Sequence, residues 1–153
     1  MLKMTKIFVA MTALLILAGL SAQSAMAEDN RQLVKLPPMM QEHMLANMRD
    51  HLAALDDIFS ALAKGNVNEA AKVAEKRLGM SAMGAHGAAH MAPFMPKGMA
   101  TFGTQMHHAA SRFVVKAQDA ELAPGVQAQR EVYKALHEVT QNCNACHQTY
   151  RIR

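Results

Sequence analysis

Cys143-Asn144-Ala145-Cys146-His147 is the stretch of this chain that holds the most chemistry. The spacing C-x-x-C-H is that of a c-type haem attachment site. Two thiols three residues apart lie on one side of a helical turn, so both can bond to the vinyl groups of one porphyrin. The next residue, His147, then comes beneath the iron as its proximal ligand. Three other chemistries use paired cysteines. A thioredoxin-like redox pair belongs beside a βαβ pattern, and no strand alternation flanks this one. A closed zinc site takes four ligands, and neither a second C-x-x-C nor an H-x-x-x-H follows. A disulfide across so short a loop stabilises little. The chain has two cysteines in all, and one haem would use both.

The N-terminus predicts export. Lys3 and Lys6 form a positive start, residues 7–20 an apolar run of signal-peptide length, and Ala25-Met26-Ala27 a small-x-small cleavage site. Residues 1–27 are therefore expected to be a signal peptide, with an uncleaved membrane anchor as the alternative. Residues 28–153 are expected to form one domain in the periplasm, with no stable membrane span after cleavage. In bacteria covalent haem attachment takes place outside the cytoplasm, and the same compartment would oxidise idle thiols. The full chain carries 16 Lys and Arg against 12 acids, a formal charge of +4. Removing Lys3 and Lys6 leaves 14 against 12, or +2, and two haem propionates would bring this near zero. The basic balance is thus no argument for nucleic acid, and no aromatic-basic interleaving of the kind that binds single strands is present.

The elements that must position the motif read as four helices, because Ala, Met, Leu, Gln, Glu and Lys dominate residues 28–153. Pro37-Pro38 opens the first helix. Met44, Met48, Leu52, Leu55, Phe59 and Leu62 give it an apolar stripe, and Lys64-Gly65 ends it. Asn66 or Asn68 caps the second, with Glu69 in its first turn and Ala70, Val73, Ala74, Arg77 and Leu78 following; Gly79 weakens or ends it. The third runs from about Gly98 to Ala120 with Met99, Phe102, Met106, Ala109, Phe113 and Ala117 on its stripe. Pro124-Gly125 precedes the fourth, whose buried face is Val132, Leu136, Val139, Cys143, Cys146 and Tyr150. Short connections predict an all-α, antiparallel four-helix bundle, with haem attached near the C-terminus of the last helix. Residues 80–97, rich in Gly, Ala, Met, His and Pro, are expected to form a long loop with a helical turn at 85–91.

The run Cys143-Asn144-Ala145-Cys146-His147-Gln148-Thr149-Tyr150-Arg151 resembles the C-terminal C-x-x-C-H-x-x-Y-R of the cytochrome c prime family. Signal peptide, four-helix order and terminal haem site are similar to that family across residues 28–153, while the composition of residues 80–97 departs from it. The resemblance implies haem c on Cys143 and Cys146, His147 as axial ligand, redox proteins as partners, and pairing into a homodimer through the first two helices. It implies an electron carrier or gas binder rather than an enzyme. In one branch of the family an apolar side chain covers an iron that binds nitric oxide or carbon monoxide; in the other a methionine of the first helix ligates it. Counting back from Lys64-Gly65 puts Met48 at that distal position, with Met44 one turn earlier, about 5.4 Å along the axis. Met48 is expected as the ligand and Met44 as its alternative; His43 and His51 rank behind them. A peroxidase-like role for His51 would need Met48 unligated. Arg151 would contact a haem propionate, or else be a solvated cation at the helix end.

A second hypothesis concerns soft and imidazole ligands. Residues 28–153 hold ten methionines and eight histidines. Met80, Met83, His86, His90, Met91, Met95, Met99, Met106, His107 and His108 crowd one segment, and thioether and imidazole suit Cu(I) and Cu(II). His86 and His90, four apart, would share a helix face. Copper bound by this segment is the alternative to simple packing of methionines in the core.

Overall fold

The computed structural model describes residues 28–153; the expected signal peptide lies outside the described residues. Five helices occur among the described residues: α1 (Pro38–Ala63), α2 (Val67–Arg77), α3 (Ala88–Met91), α4 (Lys97–Leu122) and α5 (Val126–Thr149). Two-residue strands β1 (Gln32–Leu33) and β2 (Tyr150–Arg151) pair in parallel. Residues 31–153 form one compact, mostly helical unit, and no helix among the described residues is long and apolar enough to cross a membrane.

The four long helices sit where the apolar spacing and the helix breakers put them. Pro38 opens α1, where its missing N–H costs nothing. The same helix stops at Gly65, whose φ of +75° carries the left-handed turn; Gly65 N–H donates to Leu62 O at 3.0 Å and Asn66 N–H to Ala61 O at 2.9 Å, so the last carbonyls are satisfied. Helix α2 ends at Arg77, just before Gly79. The long connection between α2 and α4 is ordered as short pieces, 3₁₀ turns at Met80–Ala82 and Ala92–Phe94 around α3.

Alanine makes the main core. Ala54, Ala70, Ala74, Ala109, Ala110 and Ala117 are almost fully buried, and these small, strongly helical residues let helices approach closely. Around them lie Ile58, Phe113, Leu78 and Val139, each worth about 1.5–3 kcal/mol of burial. The close seams are α4 on α5, α2 on α4 and α1 on α2. Helices α1 and α5 share no such extended backbone approach.

The expected stripe of α1 needs correction. Leu52 and Phe59 are 70% and 52% exposed, whereas Met44, Ala54, Ile58 and Ala61 are buried. Leu52 and Phe59 are each one residue away from a core-facing position, which rotates a side chain by about 100° on a helix of 3.6 residues per turn. The core-facing neighbour of Leu52 is His51, which an apolar pattern passes over. A second correction is at the C-terminus: α5 ends at Thr149, and Tyr150 lies on an extended strand rather than on the helix. There Val34 N–H donates to Arg151 O at 2.8 Å and Gln41 Nε2 to Ile152 O at 2.6 Å, fastening the segment before α1 and the first turn of α1 to the segment after α5.

Candidate functional site

The C-x-x-C-H residues occupy the last turns of α5, continuing the buried row Val132, Ala135, Leu136 and Val139. Cys143 and Cys146 are both half-buried free thiols. Cys143 packs on the main core and Cys146 on a second apolar cluster. Burial pushes the Cys143 thiol above its usual value, and burial followed by the neighbouring Cys143 does the same for Cys146. Such thiols stay protonated near neutral pH, unlike the low-pKa thiolate of a redox or nucleophilic pair. The His147 side chain is exposed, and its carbonyl accepts from Arg31 Nη1 at 3.2 Å.

The second cluster is a methionine-rich apolar contact that joins residues of 34–48, 91–99 and 146–152. Val34, Met44, Met91 and Met99 are buried in it, and Met40, Met48, Met95, Cys146, Tyr150 and Ile152 pack against them. Six of the ten methionines of residues 28–153 thus converge beside Cys146. Met40, Met44 and Met48 are four apart and therefore follow one face of α1. Met44 is 8% exposed and Met48 half-buried, so both distal candidates reach the cluster that holds Cys146. Arg151 lies in β2, half-buried, paired in register with Leu33.

A separate constellation lies nearby. His51 of α1, His86 of the turn before α3 and His107 of α4 bring one ring nitrogen each to within 4.8 Å of the others. Ring centroids are 4.7 Å apart for His51–His86, 5.3 Å for His86–His107 and 5.9 Å for His51–His107. His107 is 7% exposed. Its Nδ1 faces two carbonyl oxygens, Leu78 at 2.7 Å and Gly79 at 3.1 Å; carbonyls only accept, so Nδ1 is the donor. The His86 carbonyl accepts from His43 Nε2 and Asn47 Nδ2, each at 2.9 Å. Gly87, at φ +63°, lets the chain turn there, and a Cβ at this position would meet His43 Nε2 at 2.9 Å. Burial, then the charges of His86 and His107, pull His51 down to about 4. Burial, then His107, lowers His86 as well. Both rings are therefore neutral at pH 7.

His90 and His108 are exposed, so the i, i+4 pair His86–His90 does not form the cluster. The partner that spacing missed is His51, 35 residues upstream of His86. Its one signal was a polar residue on the core-facing side of α1. Compared with known proteins, the chain matches no family model, no curated protein and no solved structure.

Proposed function

We propose that this protein is an exported, periplasmic c-type cytochrome of the cytochrome c prime kind, a one-electron carrier rather than an enzyme. In this reading α1, α2, α4 and α5 form an antiparallel four-helix bundle. Connections of three residues between α1 and α2 and between α4 and α5 support it, since such short turns return the chain alongside itself. So does the seam order α1–α2–α4–α5.

The observation that carries the proposal is the meeting of Met48 and Cys146, 98 positions apart in sequence, in one apolar cluster. The donor set fits haem c: two free thiols one helical turn apart, an imidazole next in sequence, and thioethers on the facing helix. Haem, when bound, supplies a ferric–ferrous couple. Cys143 and Cys146 would hold it by thioethers, and His147 and Met48 would ligate its iron, with Met44 as the alternative to Met48. The methionine cluster excludes water, and a thioether ligand favours the ferrous state and raises the potential. Arg151 would sit near a propionate. Partners are redox proteins and a second copy of the chain; Leu52 and Phe59, exposed on α1, give that pairing an apolar face.

Spectroscopy with voltammetry tests this. A weak red-end band in the ferric spectrum, slow or absent carbon monoxide binding and reversible one-electron voltammetry are expected. A protein that is high-spin and takes up nitric oxide readily would instead be the gas-binding kind, with Met48 only packing.

A further inference from the structure

We propose that His51, His86 and His107 form a three-imidazole site for one divalent late first-row transition-metal ion, Cu²⁺ or Zn²⁺, separate from the haem ligands. Three segments far apart in sequence supply the three rings, so no local pattern requires their meeting. The ring nitrogens lie within 4.8 Å of one another, with His51 Nε2 and His86 Nδ1 at 3.3 Å. A metal–imidazole bond of about 2.0–2.1 Å in tetrahedral geometry separates ligand nitrogens by roughly 3.3–3.4 Å. One pair already has that spacing, and small ring rotations close the rest.

The surroundings orient the rings as a metal site requires. Ligating histidines generally donate their other N–H to a carbonyl or carboxylate, which fixes tautomer and ring angle. His107 does so toward Leu78 O and Gly79 O. His86 sits in a turn whose carbonyl is held twice, by His43 and Asn47. The three donors are imidazole nitrogens, without thiolate or carboxylate, and imidazole suits copper and zinc. Three protein ligands leave further coordination to water or an anion. The site uses neither Cys143, Cys146 nor His147, so failure of haem attachment would leave it standing.

The test is calorimetric titration of the purified haem-loaded protein, stripped of metal by a chelator, with Zn²⁺ and separately with Cu²⁺. One equivalent should bind. His51→Ala, His86→Ala and His107→Ala should each weaken binding by about 100-fold or more, and His43→Ala by about 10-fold, in line with the 10–100-fold effect of losing an orienting partner. His90→Ala and His108→Ala, at exposed positions, should bind as wild type. The Cu²⁺ form should show electron-spin coupling to three nitrogens. His86, in a turn, decides the matter if His107→Ala fails to fold. Absence of stoichiometric binding for both ions, or unchanged affinity in His86→Ala, overturns the proposal.

Discussion

Arg77→Ala should release the end of α2 from α1 and destabilise the protein by about 2–3 kcal/mol. Arg77 Nη2 holds Asp50 Oδ1 at 2.5 Å and the Asp50 carbonyl at 3.0 Å, Nε reaches Oδ1 at 3.2 Å and Oδ2 at 3.3 Å, and Nη1 holds Asp57 Oδ2 at 2.7 Å. The side chain of Arg77 is 24% exposed, those of Asp50 and Asp57 45% and 56%. A hydrogen bond to a charged group contributes about 1.5–3 kcal/mol, but an exposed ion pair only about 0.2–1. The half-exposed Asp50 carboxylate then contributes roughly 1–2 kcal/mol, its carbonyl about 1, and Asp57 less than about 1. For a domain of this length the loss lowers Tm by about 10 °C. The bond from Arg77 is also the main reason the Asp50 carboxyl lies below its ordinary value of 3.8. Its stabilisation is therefore present above that value and lost as pH falls through the lowered one. Urea melts at neutral and acid pH measure both effects as a shift of midpoint at constant slope. The difference between wild type and Arg77→Ala should be flat at neutral pH and shrink in acid, with Asp57→Ala costing under about 1 kcal/mol. A cost below about 0.5 kcal/mol for Arg77→Ala, or an equal cost for Asp57→Ala, refutes the reasoning.

Met48→Leu should convert the iron to a high-spin form that binds carbon monoxide, read by optical titration; if Met44→Leu does so instead, the distal ligand is one helical turn earlier. Glu75 accepts from Ser81 N–H at 3.1 Å, Ser81 Oγ at 2.5 Å and Ser111 Oγ at 2.7 Å. Burial works to raise its pKa, yet these hydrogen bonds together hold it below the ordinary 4.5. Glu75→Gln should therefore be less stable than wild type at neutral pH, by about 1–2 kcal/mol. That gap should narrow as pH falls through and below 4.5, measured by denaturant melts across pH. Phe59→Glu, at an exposed apolar position of α1, should shift the protein toward monomer in sedimentation velocity without changing the Soret band.

The long helices were legible because helix periodicity is local, visible within a dozen residues. Pro37-Pro38 and Gly65 mark ends by their own backbone chemistry, and those ends stand, as does the end of α2 just before Gly79. The clip of β1 on β2 was not legible, since two residues carry no alternation and their partner lies at the other end of the chain. Leu52 and Phe59 misled because apolar residues at spacings of three and four define a stripe only to within one position. The histidine cluster failed for a related reason. His86 and His107 drew notice through their crowded segment, but the third ring comes from α1 and joins only when α1, α2 and α4 pack.

The most direct test of the central claim is the intact mass of the protein from a host competent in c-type cytochrome maturation. The expected mass is that of residues 28–153 plus one haem that acidified acetone does not extract, with no added haem in Cys143→Ala/Cys146→Ala. An unmodified mass with both thiols free to alkylation would contradict it.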